Sequence, residues 1–395
     1  MFQKQIKIEG EANIKSYEYK GEDHSISYQK IISPLCDKIL EYIPIWFSPN
    51  ILSLIGLLIN VLNFFLVICF TGLKGNEENE FYVKLINLFL NCIYLIIQKC
   101  VIKQAIRTKS LTILVLLINH SIGAISLILI SINFGSIIAF DELNQYIFLY
   151  ISFVNVFYFN KWEEYINGEL ILPKCNGICD GIILICLIDL FTCFTGSEFW
   201  NNRILDRRYN DSLILISCIY GFYLCYISFQ NVKTKNPEKI SSSFNFFTYY
   251  IYVLITLFLI VKLNHSNIID YYPKVLVVTY GLSISQLIGE MHISHLKQIE
   301  FKPNILFILP PLIYLPFHSI ISYFMKKDFF FSIDIILLSA LSWNLIVYSH
   351  WIYTESIYLS DTLFIYIFSL EERKEIIRDP RINVIVENYK KQSLI

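Results

Sequence analysis

Apolar residues run along this chain in long blocks separated by short polar loops. A helix that crosses the hydrocarbon core of a bilayer needs roughly 17–25 predominantly apolar residues. Ten blocks meet or approach that length: 50–71, 81–102, 111–133, 146–160, 178–197, 212–230, 246–263, 273–294, 304–325 and 331–355. The fourth is the shortest and leans on Phe153, Phe157, Tyr158 and Phe159. The connections, such as Lys74–Glu80, Asn201–Asp211 and Asn231–Ser243, are too short for a soluble domain, and no internal repeat is visible. The pattern predicts an all-α polytopic membrane protein with an N-terminal segment (1–49), a ten-span domain (50–355) and a C-terminal tail (356–395).

The N-terminal segment has its own periodicity. Between Ile31 and Ile45, residues Leu35, Ile39, Leu40 and Ile43 fall on one helical stripe, which predicts an amphipathic helix lying at the interface. Pro44 and Pro49 punctuate it, and Trp46 and Phe47 sit where interfacial aromatic residues belong. An even number of spans puts both ends on one side. Counted that way, 23 basic residues lie with the termini and seven lie opposite. That asymmetry predicts both termini on the cytoplasm-like side.

Composition narrows the class further. Hydrophobic residues make up 55% and charged residues only 16%, against about 25% charged in an ordinary soluble domain. Mean hydropathy is +0.52. A soluble enzyme and a disordered chain are both excluded. A formal net charge of -1 leaves no basic footprint for nucleic acid. The ten cysteines show neither a disulfide framework nor zinc spacing, and Cys175-x3-Cys179 alone is weak, so packing is their expected role. Residues Met1 to Lys20 have no apolar h-region and do not read as a signal peptide.

Several short motifs, in order, resemble one family. Tyr19-Lys20-Gly21-Glu22-Asp23-His24-Ser25 is followed by IPIWFSPNILSLIGL from Ile43 to Leu57. Lys103-Gln104-Ala105 and Arg107-Thr108 follow the second block, Trp162-x2-Tyr165-x2-Gly168-x-Leu170 the fourth, and Phe199-Trp200 the fifth. Leu363-Phe364-Ile365-Tyr366-Ile367-Phe368 closes the series. Together they resemble the choline/ethanolamine phosphotransferases of the CDP-alcohol phosphatidyltransferase class-I family, from about residue 19 to 370. The resemblance implies the family's fold, in which a phosphoaminoalcohol group passes from its CDP carrier to diacylglycerol. It implies the endoplasmic reticulum as the compartment.

The family's signature, D-x2-D-G-x2-A-R-x8-G-x3-D-x3-D, supplies four carboxylates that hold two divalent cations on the pyrophosphate. This chain fits the spacing and loses the chemistry. The Asp positions hold Gln98, Val101, Asn119 and Gly123, the Gly positions hold Ile102 and Val115, and the Arg position holds Ile106. Only Ala105 is retained. Neutral amide oxygens cannot balance two Mg²⁺ ions, so the expectation is a transferase site without metal or cofactor and without catalytic residues. His120 remains where the family places a proton acceptor, but a base without metals has nothing to activate against. Glu163, Glu164, Asp180, Asp189, Glu290 and Asp334 are the carboxylates that could replace the lost set or simply pair internally.

The expected function is therefore a pseudoenzyme: a lipid-binding accessory subunit of a larger membrane assembly. Lys103, Arg107, Trp162 and Tyr165 are the candidate lipid contacts. Asn60, Asn63, Asn87, Asn91, Asp189 and Glu290 are intramembrane polar groups seeking partners, including partner subunits. An Ile-, Asn-, Lys-, Phe- and Tyr-rich composition points to AT-biased coding and, with it, to a complex of the mitochondrial inner membrane. The alternatives are an active phosphotransferase with non-standard metal ligands, and a homodimer or a regulatory dimer with an active paralogue. The expected partners are phospholipids and other membrane subunits, not nucleic acid.

Overall fold

The computed structural model describes residues 11–72, 81–177, 179–263, 272–303, 305–325 and 333–371. Loop Lys74–Glu80 and tail residues 372–395 therefore lie outside the described residues. A short helix, α1 (Ser33–Tyr42), precedes ten longer ones. These are α2 (Pro49–Thr71), α3 (Phe81–Arg107), α4 (Ile113–Ile137), α5 (Leu143–Asn167), α6 (Asp180–Thr195), α7 (Tyr209–Lys235), α8 (Ile240–Leu263), α9 (Pro273–Leu296), α10 (Ile305–Met325) and α11 (Ile333–Leu363). Each of the ten apolar blocks coincides with one of the longer helices.

Six of the helices, α2, α3, α4, α7, α8 and α11, are long and apolar enough to cross a membrane by length and composition. The chain is a multi-pass integral membrane protein. The other helices fall short for identifiable reasons. Helix α6 has 16 residues. The described apolar stretch of α10 runs only from Ile313 to Met325. Helices α5 and α9 carry Lys161, Glu163, Glu164, Lys274, Glu290 and His292, all taken up inside the bundle. An interior helix needs no uninterrupted apolar surface, because its neighbours and not lipid solvate it.

Helix ends follow their local residues. Pro34, Pro49 and Pro273 sit in first turns, where the missing N–H is not needed. Gly168 ends α5 at φ 80°, a left-handed conformation that glycine takes without a Cβ penalty, and its N–H reaches the Glu164 carbonyl. Helices α4 and α9 form the buried centre, packed on each other and enclosed by α2, α3, α5 and α11. Helix α7 lies along α5 at a close crossing: a Cβ on Gly221 would meet the Ser152 carbonyl oxygen at 3.0 Å.

The loops that the charge count puts on one side do meet at one end. Strand β1 (Gly21–Asp23) pairs in parallel with β2 (Leu170–Leu172), after α5. Asn13 Nδ2 donates to the Lys297 carbonyl, Asn50 Nδ2 to that of Ile367, and Lys235 pairs with Glu169. A two-strand ribbon, β3 (Arg203–Ile204) with β4 (Arg207–Arg208), precedes α7. Arg208 then binds Asp141, Glu142 and Asp211.

The expected interfacial helix is present and shorter than Ile31–Ile45. It is entered by a π-helical turn, Tyr28–Ile32, and buries Cys36 and Leu40. Leu35 is 37% exposed, so only part of the stripe faces the bundle.

Candidate functional site: a neutral pair in an apolar cavity

Helices α3 and α4 bring the signature positions together in space. Gln98 Nε2 donates to Asn119 Oδ1 at 2.9 Å and to the Asn119 carbonyl at 3.2 Å. Gly123 lies beside them, and a Cβ there would stand 3.7 Å from Gln98 Nε2, ordinary contact with room for a side chain. Val101 turns away. It is fully buried in an apolar cluster with Leu52, Ala105 and Val115. The residues do not fit a pair of divalent cations. The two polar side chains hydrogen-bond each other, one position has no side chain, and one is sealed in hydrocarbon. Gln98 Oε1 remains as a single unpartnered neutral oxygen.

The rest of the motif is structural. Lys103 Nζ binds the Ser33 hydroxyl at 2.8 Å and the carboxylate of Asp37. Gln104 Nε2 donates to the carbonyls of Pro44 (3.2 Å) and Phe47 (2.9 Å). The Arg107 guanidinium donates to the carbonyls of Leu40 and Ile43 at the end of α1. Lys103, Gln104 and Arg107 thus fasten α1 to the end of α3. Trp162 is 1% exposed and stacked among Phe159, Phe229 and Phe247. Tyr165 donates its hydroxyl to the Ile299 carbonyl and accepts the Phe301 N–H. The donors assigned to lipid in the sequence are largely engaged by protein.

A cavity of about 700 Å³ opens beside the Gln98–Asn119 pair. Its walls are apolar, including Leu127, Ile130, Phe153, Phe157, Ile185 and Leu224. Lys99, Lys103, Glu22 and Asp23 line its polar part, with His120 between the two surfaces. Asp23 holds that rim together: it accepts Lys99 Nζ at 2.8 Å, the Ser25 hydroxyl at 2.6 Å and Asn176 Nδ2 at 3.1 Å. Burial pushes its carboxyl up, but the Lys99 charge and the donors of Lys99 and Ser25 outweigh that and hold it below the ordinary value.

The remaining carboxylates pair within the chain. Asn87 Nδ2 (2.8 Å) and Asn91 Nδ2 (3.2 Å) donate to Asp189 Oδ2, and Asn63 Nδ2 donates to the oxygens of both asparagines. These groups were expected to seek other subunits; α2, α3 and α6 join them to one another, leaving Asp189 Oδ1 and Asn63 Oδ1 buried and unpartnered. Asn60 keeps both side-chain atoms buried and unpartnered. Glu163 accepts from Asn231, Asp180 from Ser27 and the Asn176 N–H, and Glu290 from Gln286. The side chain of Asp334 lies outside the described residues. Glu164 has company the sequence does not announce: Lys161, His120 and His292, from α5, α4 and α9.

No family model matches the chain. It is similar to choline/ethanolaminephosphotransferase 2 of Arabidopsis thaliana, 27% identical over 334 residues that cover 79% of this chain and 84% of the relative. It is 24% identical to cholinephosphotransferase 1 of Saccharomyces cerevisiae, covering 76% and 81%. The chain is a homologue of the choline/ethanolamine phosphotransferases. An uncharacterized CDP-alcohol phosphatidyltransferase class-I family protein of Dictyostelium discoideum is 26% identical over 280 residues.

Proposed function

We propose that this chain is a non-catalytic CDP-alcohol phosphotransferase homologue that holds a lipid in its cavity and serves as an accessory subunit of a membrane complex. One observation carries the proposal. Lys103, Gln104 and Arg107, which match the motifs interleaved with the signature, hold α1 and the loop after it, while the signature's ligand positions form a neutral amide pair, an apolar contact and a glycine. Selection on folding explains the retained group, and selection on metal-dependent transfer does not explain the lost one. The 700 Å³ cavity is of ligand size and apolar, which suits acyl chains.

The test is transfer from radiolabelled CDP-choline or CDP-ethanolamine to diacylglycerol with Mg²⁺ or Mn²⁺. The purified chain is expected to give no product, while lipid extraction of the same sample yields bound phospholipid or diacylglycerol. Product abolished by Gln98→Ala would overturn the proposal. An active transferase on non-standard ligands is the second reading, favoured by the gathering of His120, which lines the cavity, with Glu164 and His292. Placement in the mitochondrial inner membrane rests on composition and the erased motif. Native extraction and sizing test it: co-migration with a large complex supports it, and migration as a dimer with a catalytic paralogue replaces it.

A further inference from the structure

Next to the Gln98–Asn119 pair, three helices gather a cluster of which only His120 belongs to the motif region and the cavity lining. His120 from α4, Glu164 from α5 and His292 from α9 each offer one ligand atom, and these atoms lie within 4.8 Å of one another. Glu164 and His292 are each 2% exposed. Glu164 Oε2 stands 3.6 Å from His292 Nδ1, and the His120 and His292 rings meet edge to face at 4.4 Å. His120 Nε2 is buried without a hydrogen-bond partner.

The cluster already holds a cation. Lys161, one turn before Glu164 and 3% exposed, places Nζ 2.6 Å from Glu164 Oε2 and 3.5 Å from His292 Nδ1. An ammonium has donors only, so His292 Nδ1 must face it with its lone pair, and the ring proton sits on Nε2. A carboxylate oxygen and an imidazole lone pair therefore converge on one positive charge, with a second imidazole adjacent.

We propose that His120, Glu164 and His292 form a site for a zinc-like divalent ion, with Lys161 as the cation that occupies it when no metal is bound. Two imidazoles and one carboxylate suit zinc or cobalt, whereas magnesium and calcium take oxygen ligands. Zinc bonds of about 2.0–2.2 Å space tetrahedral ligand atoms by roughly 3.4 Å, so the cluster needs only a small contraction. On binding, the metal takes the lone pairs that face Lys161, and the ammonium withdraws or releases its proton. The ion would tie α4, α5 and α9 together beside the cavity that His120 lines, a structural role that does not depend on turnover.

The test uses the full chain purified in detergent and freed of metal with a chelator. Re-equilibration with zinc and removal of excess is expected to leave one zinc per chain by elemental analysis. Cobalt should give the visible absorption of a low-coordinate N/O site. Glu164→Gln and His292→Ala should each weaken retention by roughly tenfold or more, by comparison with the losses seen even for residues one step outside a metal site. Lys161→Met strips Glu164 of its counter-charge, so its melting temperature should fall and zinc should restore it. Wild-type protein that retains no zinc would overturn the site, as would equal retention in both ligand variants. A Lys161→Met variant that zinc leaves unstable would do the same. None of these readouts uses transfer activity, so failure here and failure of the non-catalytic assignment are separate results.

Discussion

Asp23 shows how one side chain can hold the mouth of the cavity. It accepts from Lys99, Ser25 and Asn176 at once. Its folded carboxyl titrates below the unfolded value of 3.8, so the latch stabilises the fold above that value and is lost as pH falls through the depressed one. Melting temperature should therefore fall on acidification below about pH 4 in the wild type, and Asp23→Asn should flatten that slope. At the second signature position the opposite holds. Val101 sits in a closed apolar cluster, and Val101→Asp would bury a charge with no partner. The expected loss is about 3–5 kcal/mol, read from thermal unfolding in detergent. Restoring the family's carboxylate at that position is thus not a conservative change in this chain. Gly123 differs: its neighbours leave room, and Gly123→Asp should be tolerated far better in the same measurement.

At the scale of elements, α1 depends on α3 for its place. Arg107→Ala removes the donors at the last carbonyls of α1 and should cost about 1.5–3 kcal/mol locally. Faster hydrogen exchange confined to Ser33–Tyr42 is the expected signature, with the helices behind unchanged. The polar ladder across α2, α3 and α6 makes a second prediction. Asn87→Leu with Asn91→Leu leaves Asp189 with no donor in a fully buried setting and should lower the melting temperature, while Asp189→Leu added to both should recover part of the loss.

These elements also show what could be seen in the sequence. Helix positions were legible because apolar block length is a local property, and Gly168 and the helix-starting prolines mark ends directly. The side on which loops meet was legible from Lys and Arg. The role of Lys103 and Arg107 was not: a basic residue at a helix end serves a headgroup or a neighbouring carbonyl equally well, and only the docking of α1 decides. Trp162 read as a candidate lipid contact, yet α5 turns it into the core. The partners of His120 were invisible for a similar reason. Glu164 and His292 are distant in sequence, on helices whose facing sides no periodicity reports.

For the whole molecule, the two buried helices α4 and α9 divide the work. Helix α4 carries Asn119, which meets Gln98 of α3 beside the cavity, and α9 carries His292 and the contacts to α11. Both helices pack on their neighbours mainly through apolar side chains, while Gln98 and Asn119 hydrogen-bond each other at the cavity. The cavity stands beside this packing with no carboxylate at any of the four signature positions.

The pairing of β1 with β2 carries one further consequence, for the order of biogenesis. Gly21–Asp23 emerges from the ribosome long before Leu170–Leu172, with α1 to α5 between them. A parallel pair joined across such a stretch closes late, because chain-closure entropy is set against it until both strands are present. The N-terminal segment and α1 must therefore wait at the membrane surface while four long helices are inserted. A nascent chain stalled before Leu170 would leave Asp23 and Lys99 without the strand that seats them, and its N-terminus open to protease.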